Sequence, residues 1–444
     1  MRTTLTYRTA LLFFLPLIFM TELHQISHSV VHAFLARLDD PTLALAAFTV
    51  AFTFNTTLSG VISTGIQAGI SFIHSRADFW RLYWFFFLMG LVPFVIIEWV
   101  AFTHWGDVLY GRLMGASPEV VKQARVASAV MGLWILPNNF RNLGFALCMV
   151  HRRTMLISYA TVLRLGALAF FLWLFPFFLE GAVVGAAAMV SCMTVETVFV
   201  LRFSRRFYRA LPAQSTEPPG TRELWRFSWP LMFVQITENG VTLILNFFLG
   251  RLVNPDLALA SFGVVYGLVR VLLAPVRNLV QTAQALVYSE TDVRVMMWFT
   301  FSVVSFFAGL VFVLFHDPVL RAWALVTVMG LPADVTAYIT PAVQITFLVA
   351  IFWGYAAVFR GLLSAMRRTG VLAATAVVRF CMVVAVGSIT LLLPGLNGAV
   401  VGVLAMTGAF WAETLLLCAR LWRSRADTEP VFPQRDPAAP GPAH

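Results

Sequence analysis

Residues 229–256 read WPLMFVQITENGVTLILNFFLGRLVNPD. The stretch is long enough to cross a bilayer, yet its middle is polar. Gln235, Glu238, Asn239, Thr242 and Asn246 recur at steps of three or four, which puts them on one stripe of a helix. Residues 15–41 share the design. A shift of 214 positions lays Pro16 on Pro230, Leu17 on Leu231, Arg37 on Arg251 and Pro41 on Pro255. In the same register Thr21, His24, Gln25, His28 and His32 fall on Gln235, Glu238, Asn239, Thr242 and Asn246. A polar group facing lipid is costly, so each stripe is expected to face protein or water. The simplest arrangement is two matching halves facing each other across a central cavity.

Composition bounds the class. The 444 residues are 59% hydrophobic and 12% charged, with a mean hydropathy of +0.82. Several apolar runs exceed the ~18 residues that mark a spanning helix, and a soluble domain could not hide them. The short alternating strands of a membrane barrel are absent. The fold class expected is therefore an all-α polytopic membrane protein. A net charge of +10 would suggest nucleic acid in a soluble protein; here the excess sits at one set of helix ends and reflects topology, so no nucleic-acid partner is expected. Cys148, Cys192, Cys381 and Cys418 lie inside apolar segments and form no disulfide or zinc framework. The first apolar segment carries Glu22 and three histidines and no clear cleavage site, which marks a retained helix.

Twelve spans are expected, near 10–36, 42–73, 80–103, 124–149, 155–177, 181–203, 224–250, 257–289, 293–315, 335–364, 370–393 and 397–421. The second, eighth and tenth are too long for a perpendicular crossing and should tilt or project. The polar, Pro-rich segment at 205–223 marks a boundary. The organisation expected is a six-helix lobe over 1–205, a cytoplasmic linker over 206–223, a second six-helix lobe over 224–423 and a disordered tail over 424–444. Arg76, Arg81, Arg152, Arg153, Arg205, Arg206, Arg209, Arg367 and Arg368 fall on one side, against Arg37, Arg112, Lys122, Arg125, Arg251 and Arg321 on the other. The positive-inside rule then puts both termini in the cytoplasm and the protein in the cell membrane.

The repeat continues along the chain. HRRTMLISYATVLRLG at 151–166 matches MRRTGVLAATAVVRFC at 366–381, and GAVVG recurs at 181–185 and 398–402. Arg164 thereby meets Arg379, and Glu196 meets Glu413. Six spans per half make the repeats parallel, a duplication expected of a transporter that rocks two lobes about a central site.

Charges inside spans carry the functional expectations, since each costs about 2.5–3.5 kcal/mol at mid-bilayer by insertion scales. Arg164 with Glu196, and Arg379 with Glu413, read as one buried structural ion pair per lobe. Arg270 and Arg277 are seven apart on one helix face, with Gln281 a turn further on. Arg141 lies in LPNNFRNLG, whose asparagines can satisfy the groups that Pro137 frees. No acid nearby in the sequence pairs with Arg141, Arg270, Arg277 or Arg360. They can line a cavity for an anion, which guanidinium groups bind through two parallel bonds, or snorkel, as Arg360 would near the inner end. Asn239, Asn246 and His28 complete the expected substrate-binding set. Glu238, His24 and Glu22 are the ion-coupling candidates, for H+ or Na+, with imidazole titrating near neutral pH. His24, His28 and His32 at four-residue steps lack the further ligand a zinc site needs, so neither metal nor cofactor is expected. Phosphate-cradling loops and nucleophile elbows are absent, and no enzyme is expected.

FLPL at 14–17, RFSWPL at 226–231, NFFLGR at 246–251, VFRGLLSAMRRT with VVRF at 358–380, and LPGLNGAVVGVL with GAFWAET at 393–414 resemble the progressive ankylosis (ANKH-like) family. That family belongs to the multidrug/oligosaccharidyl-lipid/polysaccharide exporter superfamily, with the multidrug and toxin extrusion (MATE) transporters. The resemblance implies alternating-access export of small anions such as pyrophosphate, nucleotides or citrate. The MATE likeness implies instead a cation-coupled multidrug antiporter acting through the first and seventh helices, where Glu22 and Glu238 stand; the first-helix aspartate of many MATE proteins is missing here. A lipid-linked glycan flippase is the further alternative. The partners expected are a small-molecule, anionic substrate and membrane lipid, and a monomer suffices for the symmetry.

Overall fold

Proline and glycine punctuate two copies of one helical pattern. The computed structural model describes residues 5–35, 37–38, 40–114, 116–215 and 218–426; within them the side chains at 41, 42, 113, 239, 243, 255, 256, 260 and 423–426 are left aside. The side chain of Asn239 and the tail beyond residue 426 thus lie outside the described residues.

The first half consists of α1 (Tyr7–Leu35), α2 (Pro41–Ser59), α3 (Gly65–Phe72), α4 (Arg76–Phe102), α5 (Pro118–Gly132), α6 (Ile135–Val150), α7 (Met155–Leu174) and α8 (Ala182–Ala210). The second consists of α9 (Thr221–Leu249), α10 (Pro255–Leu273), α11 (Leu279–Leu286), α12 (Glu290–His316), the short α13 (Pro318–Ala322), α14 (Ala333–Ile345), α15 (Phe347–Ala365), α16 (Gly370–Leu392) and α17 (Gly398–Ala426). No strand occurs among the described residues. The protein is an all-helical, multi-pass membrane protein.

The 214-residue shift holds at the level of elements. It carries α3 onto α11 and α4 onto α12, residue for residue at both ends. Ser75 caps α4 by accepting from the Asp78 N–H, and Ser289 caps α12 by accepting from the Asp292 N–H. The repeated Arg-Arg-Thr has a local cause as well. Arg152 and Arg367 sit at φ of 55° and 56°, in the left-handed region. Behind them the N–H of Arg153 reaches the Cys148 carbonyl, and that of Arg368 reaches the Leu363 carbonyl, closing the preceding helix.

The expected spans differ from the structure in two respects. Among the described residues, eleven helical runs are long and apolar enough to cross a membrane. The expected fourth span, 124–149, is instead α5 and α6, broken at Leu133–Trp134, and neither piece reaches the length on its own. Pro137, in the first turn of α6, cannot donate to the Leu133 carbonyl, which places the break. The long second and eighth spans are also not single α-helices. A 3₁₀ turn at Gly60–Thr64 divides α2 from α3, and one at Ala274–Asn278 divides α10 from α11. The tenth is split likewise between α14 and α15 at Thr346.

Two units follow from the packing. One comprises Leu15–Met232; the other runs from Phe233 to the end of the described chain and takes in the N-terminal segment up to Phe14. In the first, α7 packs along α8, α2 along α5, and α6 along α8. In the second, α16 and α15 pack on α17, and α11 on α15. The connection between halves is short, because α8 runs to Ala210 and α9 starts at Thr221. It is held in the first unit: the Arg76 N–H donates to the Pro212 carbonyl at 2.9 Å, and Ser215 Oγ donates to Asp78 Oδ1 at 3.0 Å.

A buried polar knot ties the α4–α5 connection to α2. Ser128 Oγ accepts from Asn55 Nδ2 at 2.7 Å and from Tyr110 Oη at 2.8 Å, and all three residues are fully buried. Burial pushes the Tyr110 phenol up to about 12, so it stays a donor at working pH. Ser128→Ala leaves the Tyr110 hydroxyl without its acceptor. We expect a loss of about 1–3 kcal/mol in denaturant unfolding, with no change in ligand response; an unchanged midpoint would show that the knot is dispensable.

Candidate functional site

Each half buries an arginine–glutamate–arginine triad. In the first unit Glu196, on α8, accepts from Arg141 Nη1 at 2.9 Å, lies 3.7 Å from Arg164 Nη1 and accepts from Thr161 Oγ1 at 3.2 Å. In the second unit Glu413, on α17, accepts from Arg360 through Nε at 2.8 Å and Nη2 at 2.5 Å, from Arg379 Nη1 at 3.2 Å and from Thr375 Oγ1 at 3.3 Å. The expected pairs Arg164–Glu196 and Arg379–Glu413 are present. The expectation that Arg141, Arg277 and Arg360 lack acidic partners is corrected: Arg277 pairs with Glu238, and Arg141 and Arg360 each hold the same glutamate as the arginine one helix further along the chain. Arg360 does not snorkel; it is 6% exposed. The partners stand 55 and 53 positions away, so neighbourhood in the sequence could not show them.

The triads differ in their fourth member. Glu238 Oε2, from α9, accepts from Arg360 Nη1 at 3.0 Å and lies 3.6 Å from Arg379 Nη1. The matching residue of α1 is His24, whose Nδ1 lies 2.7 Å from Arg164 Nη1. Since guanidinium only donates, that nitrogen is the acceptor, which fixes the tautomer. A second carboxylate in one half is thus replaced by an imidazole in the other.

Beside the second triad a cavity within one unit opens to solvent. Its charged lining is Glu238, Arg270, Arg277 and Arg379; its apolar lining includes Val241, Tyr266, Val269, Trp353, Met406 and Phe410. Arg277 lies on the 3₁₀ turn and approaches Glu238 Oε1 to 3.9 Å with its side chain 45% exposed. Arg270, in the last turn of α10, is exposed and stands over the Tyr266 ring at 5.9 Å. The two are not on one face of an unbroken helix, as the spacing suggested, because the helix changes to 3₁₀ between them; both still reach the cavity. Trp353 and Phe410 stack, with ring centroids 5.4 Å apart and planes at 20°.

Of the sequence-derived candidates, Glu238, Arg270 and Arg277 come together here. Arg141 and His24 belong to the first-unit triad. The His28 ring packs at 5.3 Å from that of His24 and 4.6 Å from that of Phe52. Glu22 and Gln281 are half-buried, and Asn246 is exposed near the end of α9; none lines the cavity. Sequence reasoning missed Trp353 and Phe410. The only hint lay in their spacing, Trp353 two turns before Arg360 and Phe410 one turn before Glu413.

Electrostatically, Arg277, Arg360 and Arg379 face Glu238 and Glu413, leaving one positive charge in excess, and Arg270 adds a second. Arg360 and Arg379 are committed to carboxylates. Arg270 and Arg277 are open enough to meet a solute. Such a cavity can hold an anion without exposing a buried charge.

These features define the class by fold: a duplicated helical membrane protein with a charged cavity in its second unit. Solved structures share that fold. A transporter of the MOP superfamily from Pyrococcus furiosus aligns at a TM-score of 0.74 and 15% identity over 94% of this chain and 96% of that one. The eukaryotic MATE transporter AtDTX14 aligns at 0.71 and 14% identity, covering 94% and 95%. An outward-facing multidrug-resistance MATE transporter of the MOP superfamily aligns at 0.69 and 16% identity, covering 96% and 97%. At these identities the likeness shows the MATE fold, which has twelve helices in two lobes. No family model matches the chain, and no curated protein does.

Proposed function

We propose that the protein is a secondary active exporter of small organic or phosphate-containing anions, working by alternating access between its two lobes. The observation that carries this reading is the surplus of guanidinium groups at the second-unit cavity: Arg270 and Arg277 stand open beside a network already neutralised within itself. The fold supports transport, since its solved neighbours are described as transporters. For one of them, from Pyrococcus furiosus, a reverse polarity of the binding pocket is described as suggesting a different function, which supports a pocket of unusual polarity on this fold. The motifs resembling the ANKH-like family favour the same substrate class.

Glu238 is the proposed ion-coupling group. An anion approaching Arg277 competes with its carboxylate, so ligand and coupling ion act on the same guanidinium groups. Arginine asymmetry supports an orientation with both termini in the cytoplasm of a cell-membrane protein, and the internal repeat is compatible with a monomer. A cation-coupled multidrug antiporter is the second reading. Glu238 and the Trp353–Phe410 pair favour it, because an acid beside aromatic rings also suits an organic cation.

Thermal stability of the purified protein separates the two. A ligand that binds the folded state raises its melting temperature. We expect pyrophosphate, citrate or an aryl carboxylate to stabilise the protein, and Arg277→Ala, which is half-exposed and so tolerated by the fold, to abolish the shift. Stabilisation by cationic dyes alone, unchanged in the variant, would replace the anion reading with the antiporter.

A further inference from the structure

Within the anion reading, on which this rests, we infer that the substrate is an aromatic organic monoanion and not a compact polyanion. The two parts of the cavity ask for two parts in the ligand. At one end, among the described residues, are the two guanidinium groups of the lining not committed to Glu413: Arg277, half-exposed, and Arg270, exposed over Tyr266. Arg277 already shares Glu238 at 3.9 Å, and the excess charge of Arg360 and Arg379 is buried, which leaves Arg270 as the exposed guanidinium of the described lining with no carboxylate beside it, a match for one anionic head group. A planar carboxylate matches a guanidinium edge through two parallel hydrogen bonds.

Apart from Glu238 and Arg379, the remaining lining is mostly apolar and aromatic. Trp353 and Phe410, stacked with ring centroids 5.4 Å apart, are 7% and 6% exposed. A pyrophosphate or citrate would have to shed water from several charges against this wall and gain no partner for them. A flat ring instead replaces water there and meets aromatic edges and faces in preferred geometries. Head group and ring together use both parts of the cavity; neither ring-free polyanions nor neutral aromatics do.

The test measures binding of five probes to the full-length protein by calorimetry: 2-naphthoate, its neutral isostere 2-naphthamide, pyrophosphate, citrate and the aromatic cation ethidium. The expected result is saturable binding of 2-naphthoate, at least tenfold tighter than 2-naphthamide and tighter than either polyanion. Trp353→Leu should weaken 2-naphthoate at least tenfold, with Phe410→Leu as a second variant. The ligand series decides the matter even if both variants misfold. Tighter binding of pyrophosphate or citrate than of 2-naphthoate overturns the aromatic inference and leaves the anion reading standing. Binding of 2-naphthamide as tight as that of 2-naphthoate, or of ethidium alone, overturns both.

Discussion

Glu413→Gln should destabilise the folded protein by roughly 3–5 kcal/mol, the cost of breaking a buried ion pair by removing one partner. Glu413 is fully buried and accepts four hydrogen bonds, three of them from Arg360 and Arg379. Glutamine keeps the shape but removes the charge and turns one acceptor into a donor facing a guanidinium. Arg379, 1% exposed, then relies on Glu238 at 3.6 Å and on neutral acceptors, the Val234 carbonyl and Thr237 Oγ1. Glu196→Gln should cost as much in the first unit, where no second carboxylate stands near Arg141 and Arg164 among the described contacts. Thermal unfolding in detergent reads both. A loss under 1 kcal/mol in either variant would mean that the triads are solvated in the folded protein and do not act as buried charge.

Glu238→Gln should have the opposite sense at the cavity and tighten binding of an organic anion about tenfold. A unit charge at 4 Å interacts with another by ~4 kcal/mol at an effective dielectric of 20, so the carboxylate both occupies Arg277 and repels the ligand. Screening at the open mouth reduces this, and a third of it, ~1.4 kcal/mol, is a factor of ten in affinity. The variant should lose less stability than Glu413→Gln, because Glu238 borders the open cavity with its side chain 16% exposed and Arg360 keeps its two bonds to Glu413. Calorimetric titration gives the number directly. Weaker anion binding in the variant would show that Glu238 helps to hold the ligand, as it would in a site built for cations.

How much of this was legible in the sequence depended on whether the cause was local. The duplication was legible because Pro16, Pro230, Pro41 and Pro255 mark helix positions by their own geometry. Ser75 and Ser289 repeat one cap, and the Arg-Arg-Thr turns repeat one left-handed residue. The Arg164–Glu196 and Arg379–Glu413 pairs were legible because each joins consecutive spans at matching depth. Arg141 and Arg360 were not, since their acids lie on helices that pack only in the folded lobe. The 3₁₀ turns at 60–64 and 274–278 lie in apolar runs, where hydropathy alone does not distinguish a straight helix from a broken one. Trp353 and Phe410 were hidden for a related reason: on a membrane helix, rings facing lipid, core and cavity look alike in sequence.

The most direct measurement is exchange of a labelled anion across liposomes containing the purified protein, with citrate, pyrophosphate and 2-naphthoate run separately and no ATP present. The account predicts saturable exchange of at least one anion, reduced at least tenfold in Arg277→Ala of unchanged melting temperature. Movement of ethidium with no anion exchange, unaffected by Arg277→Ala, would contradict it.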